Sequence, residues 1–387
     1  MNKIMRKINF LYHRYIEEIL FGNYLIPCFY NTFKKVKKKK RLDIGESVLV
    51  WNIDSLGDST WITPVLKSLI KDPRKFKVTL VHNELCSVLF RGYENEITLI
   101  GINPQKYYTP FGINDFKSLP LEKGMYDSMI VLEMGSRPAD AGRLLGHHLG
   151  IKNISSTNLG CLKNICHYVA PENKDDSPEY WPKHFLKTLE PFDIEKGQAK
   201  IDLRLNQTKE LDQVLIHPVV AGYGMSTKML PLEKIKTLIE FILDKTDYDI
   251  VLSSGPGEER YIKNLIDMLN TKIDINRIKN VSGKLSIIDL LRVISESKAV
   301  ICNDTSVLHF ATNFDKPIIT FFGATNENKI VDLDNDRVSV FSTDLECRSC
   351  HKNSDYYPFW PKCKFESAKC LDDIDMNDVV DRLRDVL

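Results

Sequence analysis

From Ser47 onward the chain alternates short apolar runs with longer stretches in which apolar residues recur every three or four positions. That alternation is the pattern of strands wrapped by helices in parallel sheets. It predicts strands at Val48–Ile53, Lys77–His82, Ile97–Ile102 and Asp127–Leu132, with a helix over Ser59–Ile70, where Ile62, Val65, Leu66 and Leu69 share a face. Residues 171–208 break the rhythm with Pro171, Pro178, Pro182 and Pro191 among many charges, which predicts a helical excursion and a linker. The alternation then restarts. Strands are predicted at Val214–Pro218, Asp249–Ser253, Lys298–Cys302 and Pro317–Phe322, and helices at Leu232–Leu243, Glu258–Leu269 and Ile287–Ser295. The reading is an α/β chain of two Rossmann-like domains, residues 46–208 and 209–387, facing across a cleft that is the natural ligand site.

Length agrees, since 387 residues exceed what one ordinary core covers. Charge adds a third region, a basic arm over residues 1–45. Residues 1–41 hold eleven Lys or Arg against two Glu, a net +9, so the rest of the chain carries −8 of the overall +1. The apolar stretch Ile19–Phe33 ahead of the basic run Lys34–Arg41 is shorter than the ~20 residues a membrane span needs. Such an arm can lie on an anionic leaflet, each Lys or Arg contributing about 1 kcal/mol, or form a solvated, partly packed helix ending in a mobile linker. No nucleic-acid recognition fold accompanies it, and nucleic acid is not an expected partner. Nine cysteines, an odd number, argue for reduced thiols. The expected location is cytoplasmic, with peripheral contact at the inner face of the cell membrane through residues 1–41.

Candidate chemistry clusters at the predicted strand exits. After the first strand, Asp54-Ser55-Leu56-Gly57-Asp58 leads into a helix containing Thr63-Pro64. Asp58 there either accepts a proton or caps the helix. After Val214–Pro218, a Gly-containing loop carries Ser226, Thr227 and Lys228 up to Leu230-Pro231, a hydroxyl pair and a point charge suited to a diphosphate or to solvent. Ser253-Ser254-Gly255-Pro256-Gly257-Glu258-Glu259 allows a ribose to approach the backbone at Gly255, with Glu258 or Glu259 binding its hydroxyls or capping the next helix. Cys302-Asn303-Asp304-Thr305-Ser306 ends a strand and opens a helix toward an anion, and His309 follows Ser306 by one turn. Arg137 and Arg143 are candidates for an anionic acceptor or for surface ion pairs.

In this order the motifs resemble the ADP-heptose:lipopolysaccharide heptosyltransferase family, glycosyltransferase family 9. The set comprises Asp54–Asp58 with Thr63-Pro64, His217-Pro218 with Lys228 and Leu230-Pro231, Gly255–Glu258, Ser282-Gly283-Lys284 and Asn303-Asp304-Thr305 with His309, and it spans about Ser47 to Leu371. The resemblance implies the GT-B fold and an inverting, metal-independent transfer from an ADP-heptose donor to a glycolipid such as the lipopolysaccharide core, or to a protein. It implies that Asp58 activates the acceptor, Lys228 binds the diphosphate, Glu258 or Glu259 binds the ribose, and Asp304, Thr305 and Ser306 form the diphosphate-binding helix start. Two departures stand out: Ser306 where the family often has Gly, and Leu230-Pro231 where Trp-Pro is common.

Cys347, Cys350, Cys363 and Cys370 form a soft-ligand set within a short segment, suited to a structural zinc or iron ion, with His351 as an alternative ligand and unpaired reduced thiols as the alternative state. Two other functions fit less of the sequence: a nucleotide-sugar epimerase or hydrolase of the same fold, and an inactive, metal-stapled, membrane-associated binding protein.

Overall fold

The computed structural model describes residues 36–106, 116–160, 162–174, 176–221, 225–271, 273–351 and 363–387, except the side chains of Ser136, Arg137, Met225 and Ser226. The chain divides into two compact units, the described residues up to Lys174 with Pro182–Lys200, and those of 175–181 with Ile201–Leu387. Each unit holds one six-stranded sheet in which every pairing is parallel.

The first sheet contains β1 (Ser47–Asn52), β2 (Lys77–Asn83), β3 (Thr98–Ile102), β4 (Ser128–Val131), β5 (Asn153–Ser156) and β6 (Tyr168–Val169), in the order β3-β2-β1-β4-β5-β6. The second contains β7 (Gln213–His217), β8 (Asp249–Leu252), β9 (Ile278–Asn280), β10 (Ala299–Asn303), β11 (Ile318–Phe321) and β12 (Val338–Phe341), in the order β12-β11-β10-β7-β8-β9. Read from β9, that is the first order repeated. Both are the doubly wound arrangement, whose strand order reverses between the two central strands. The reversal lies between β1 and β4 in one unit and between β7 and β10 in the other.

The central strands are continuous apolar runs because helices cover both faces. β4, β7 and β10 are buried throughout, and β1 from its second residue onward. In the first unit Leu49, Trp51, Val131, Met129 and Leu145 share one core. The helix Ser136–His148 comes close to β1 at Gly142, where a Cβ would lie 2.5 Å from the Trp51 ring, and the Trp51 indole donates to Pro138 O at 2.9 Å. In the second unit Ile216, Ile239, Ile242, Ile301 and Phe321 form the core.

The predicted strands all form, and four short ones, β5, β6, β9 and β12, join them. The helix predicted over Ser59–Ile70 begins as a tighter 3₁₀ turn, Asp58–Ile62, and becomes α-helical only at Thr63–Lys71, with Pro64 in its first turn. The end of the basic arm is no mobile linker. Val36 N donates to Asn164 O, Lys39 N to His167 O and Leu42 N to Pro191 O, while Lys38 Nζ donates to Cys166 O at 2.9 Å. Residues 1–35 lie outside the described residues. No helix among the described residues is long and apolar enough to cross a membrane.

Candidate active site

In the first unit, β1 and β4 end side by side, and the side chains that leave them are acidic. Asp58 is half-buried and is the first residue of the 3₁₀ turn; the cap position is Gly57, so Asp58 is not the capping residue. Its Oδ2 accepts from Ser55 Oγ at 2.8 Å. Gly57 has ordinary right-handed angles, φ −69° and ψ −52°, so the turn does not need glycine for its backbone conformation.

Two further carboxyl groups, Asp54 and Glu133, are buried behind this turn. They tie the two strand exits together reciprocally. Asp54 Oδ2 accepts from Met134 N at 2.7 Å, and Glu133 Oε1 accepts from Ile53 N at 2.7 Å. Asn52 Nδ2 adds a bond to Leu132 O at 2.6 Å, and the neighbouring exits support the pair through Asn83 Nδ2 to Asp54 O and Thr157 Oγ1 to Glu133 O, both at 3.2 Å. Burial, and then the negative charge of Asp58, push the Asp54 carboxyl above the usual range. Burial, and then the Asp54 charge, push the Glu133 carboxyl well above the usual range too.

Of the two arginines considered for an acceptor, Arg143 is fully buried and committed elsewhere. Its guanidinium donates to Ser156 Oγ, Thr157 O at 2.7 Å and Asp140 Oδ1 at 2.7 Å, so it holds the helix Ser136–His148 against β5 and cannot touch a solute. That assignment is corrected: in sequence Arg143 reads as a surface helix residue, but it falls on the helix face that meets the sheet. Arg137 lies on the same helix, and its side chain is outside the described residues.

At the matching position of the second unit the chemistry reverses. Lys228 Nζ lies 2.7 Å from Asp304 Oδ2, and Thr325 Oγ1, from the exit of β11, donates to the same oxygen at 2.7 Å. Burial raises the Asp304 carboxyl, but Lys228 and the hydrogen bonds outweigh it and hold the group below the usual range. His309 interacts with both, yet burial pushes it down to about 4, so at neutral pH Lys228 is the cation that counts. The loop carrying Lys228 is closed by the buried Asn303 side chain, which donates to Pro218 O at 2.7 Å and accepts from Leu230 N at 3.0 Å. Thr305 precedes the six-residue helix Ser306–Ala311, and its buried hydroxyl has no hydrogen-bond partner among the described residues.

The ribose candidates sit on the next turn. Glu258 Oε2 accepts from Gly255 N at 3.0 Å, and Glu259 Oε1 accepts from Gly257 N at 3.0 Å. Burial raises the Glu258 carboxyl. This turn is joined to β7 by a bond of 2.9 Å between His217 Nδ1 and Ser253 Oγ. Ser226 belongs to the short helix Met225–Lys228, and its side chain is outside the described residues.

The cysteine segment lies close to these groups. Ser349 N bonds to Gly323 O at 3.1 Å and His351 N to Ala324 O at 2.8 Å, which straps the segment along the β11 exit. His351 Nε2 then meets Thr227 Oγ1, beside Lys228, at 3.3 Å. The four thiols act on one another: Cys370 is pushed up to about 11 by burial and then by Cys363, Cys350 and Cys347. Among the described residues no group of three or more His, Cys, Asp or Glu is arranged to hold a metal ion. Cys350 and Cys370, their thiols raised, are in the protonated form that must lose a proton before it binds a metal.

Sequence reasoning assigned no role to Asp54, Glu133, Asn303 or Thr325. The one available signal was an acid directly after an apolar strand, as at Glu133.

Comparison with known proteins agrees with this arrangement. Residues 184–360 match the model of glycosyltransferase family 9 (heptosyltransferase). The lipooligosaccharide heptosyltransferase 2 of Campylobacter jejuni is 21% identical over 336 residues, covering 85% of this chain and 95% of that protein. Among solved structures, the ADP-heptose lipopolysaccharide heptosyltransferase II of E. coli superposes with a TM-score of 0.63 and 13% identity over 88% of this chain and 98% of that one. The iron-containing dodecameric glycosyltransferase TibC of enterotoxigenic E. coli gives a TM-score of 0.50 and 10% identity over 91% and 77%. With two parallel-sheet α/β domains of the GT-B kind, and with residues 184–360 forming a glycosyltransferase family 9 (heptosyltransferase) domain, the chain is a glycosyltransferase similar to the heptosyltransferases.

Proposed function

We propose that the enzyme moves heptose, or a related sugar, from an ADP-sugar to a lipopolysaccharide-core or protein acceptor, with inversion and without a catalytic metal. The observation that supports this reading is the pairing of chemistries at equivalent sheet positions, a half-exposed carboxylate at one and, at the other, an ion-paired lysine near a buried hydroxyl that has no partner among the described residues. In-line displacement uses both. The acceptor oxygen forms a bond to the anomeric carbon as the carbon–phosphate oxygen bond breaks, Asp58 takes the acceptor's proton, and ADP departs with the bonding electrons.

Lys228, the Thr305 hydroxyl and the amides at Thr305 and Ser306 neutralise the leaving diphosphate, the role a divalent ion fills in other transferases. Asp304 holds Lys228 until the donor arrives, and Glu258 is the better ribose ligand of the two acids because it is the more buried. The relatives named for lipooligosaccharide and for ADP-heptose favour that donor and acceptor. A mass-spectrometric screen of ADP-, UDP- and GDP-sugars in excess chelator tests this: an ADP-heptose product is expected, and transfer that requires added magnesium or manganese overturns the metal-independent step.

We further infer that Cys347, Cys350, Cys363 and Cys370 take up one structural zinc or iron ion, the soft ions their thiolates suit, as a relative of this fold contains iron. Lys37, Lys39, Lys40 and Arg41, all exposed, are proposed to touch an anionic membrane surface.

A further inference from the structure

The mechanism leaves two fully buried acids unused. Asp54 and Glu133 sit directly behind the turn that carries Asp58, and each accepts a 2.7 Å bond from the backbone of the other's strand exit. Among the described residues no cation acts on either acid, and two ionised carboxylates in a desolvated site repel strongly. One of the two must therefore carry a proton. Each acid already uses an oxygen on a backbone amide, and the other Glu133 oxygen is buried with no hydrogen-bond partner among the described residues, which a neutral carboxyl tolerates better than a carboxylate.

We propose that Asp54 and a protonated Glu133 form a clasp across the β1 and β4 exits, and that Glu133 is thereby a positioning residue for the Asp58 turn. This inference rests on the reading of Asp58 as the base. The clasp fixes Ile53 and Asp54, and Ser59 N then bonds back to Ser55 O at 2.9 Å, so the turn bearing Asp58 starts from a fixed stem. The same proton limits the negative charge behind Asp58 to one. Loss of that proton would place two charges in the clasp, drive its halves apart and displace the base.

The titratable groups facing the pair are Asp58 on the following turn and the Cys86 thiol from the exit of β2, itself pushed up to about 11, mainly by burial. Asn52, Asn83 and Thr157 are its neutral polar neighbours. Arg137 follows Glu133 in sequence, with a side chain outside the described residues.

Glu133→Gln is neutral at every pH and still accepts from Ile53 N. A carboxyl raised in the folded state gives stability that is complete below its unfolded value and is lost as pH rises through the folded value. The wild-type Tm should therefore fall as pH rises beyond the ordinary carboxylate range, and the variant's should fall less. With ADP-heptose and a heptose-deficient lipopolysaccharide core, Glu133→Gln should keep its turnover near neutral pH and lose the alkaline decline of kcat shown by the wild type. Glu133→Ala should lower kcat on the order of a hundredfold with little change in donor KM, as misplacement of a catalytic group does. Equal pH slopes of Tm for wild type and Glu133→Gln would overturn the clasp, whether or not Glu133→Ala folds. Full turnover in Asp58→Asn would instead overturn the base reading and leave the stability result standing.

Discussion

The two sheets have the same strand order and the same reversal point, yet their central exits carry opposite chemistry. Between β1 and β4 stand Asp54, Asp58 and Glu133; between β7 and β10 stand Lys228 and Asp304 as an ion pair, with Thr325 and Thr305 beside them. The fold determines where a ligand can reach the backbone, and the side chains determine its charge. A cluster of carboxyl groups repels a diphosphate and suits a hydroxyl that must give up a proton. A buried carboxylate already neutralised by lysine leaves the lysine able to turn to a phosphate without stranding an uncompensated cation.

The largest effect that tests this division is at Asp58. Asp58→Asn keeps the size of the side chain but removes the base, and kcat should fall about a hundred- to ten-thousand-fold with ADP-sugar affinity nearly unchanged. Comparable loss of donor binding, measured by calorimetry, would mean the acidic exit contacts the donor and the division fails.

Next in size is Lys228→Ala. It removes a charge-assisted contact to phosphate, a class of bond worth about 1.5–3 kcal/mol, so ADP affinity should drop roughly ten- to hundredfold while adenosine binds almost as before. Equal weakening of both would locate Lys228 away from the diphosphate.

The difference between the exits was partly readable from residue order. Asp58, Lys228 and Asp304 lie in motifs with glycine, proline and helix-start residues, and those local signals predict a strand-to-helix turn whatever packs around it. Glu133 had no such company, because its partner is 79 positions away in sequence and is brought near only by the pairing of β1 with β4. Arg143 misled for a related reason: a helix face is assigned by what it meets, and here it meets Ser156 and Thr157 at the end of β5. β5 and β9 escaped notice since Asn153-Ile154-Ser155-Ser156 and Ile278-Lys279-Asn280 have weak strand propensity and are extended by pairing with their neighbours.

A smaller effect probes the support of the cationic exit. Cys350→Ser should lower zinc or iron content from near one per chain, measured by elemental analysis of protein purified without added metal, and should lower Tm. Because His351 reaches Thr227 beside Lys228, donor KM should rise modestly while kcat on saturating donor stays close to wild type. A metal-free wild-type chain with all four thiols titrating freely would remove the ion. An unchanged donor KM would disconnect the strap from the exit.

The smallest effect separates the exits by the direction in which each answers pH. The Asp304 carboxyl is held below the usual range by Lys228 and its hydrogen bonds against the opposing effect of burial. A depressed carboxyl contributes stability that is present above its unfolded value and is lost as pH falls through the folded one. Asp304→Asn has nothing to protonate, so it should be less stable than wild type at neutral pH and should converge with it on acidification to about pH 3. The gap to be closed is a few degrees, since about 1 kcal/mol moves Tm by about 2–4 °C in a domain of this size. Glu133→Gln should leave that acid limb untouched and flatten the alkaline one, because its carboxyl is displaced in the opposite direction. If both substitutions moved the same limb, the two exits would not be electrostatic opposites, and their shared strand order would no longer account for a base in one domain and a phosphate grip in the other.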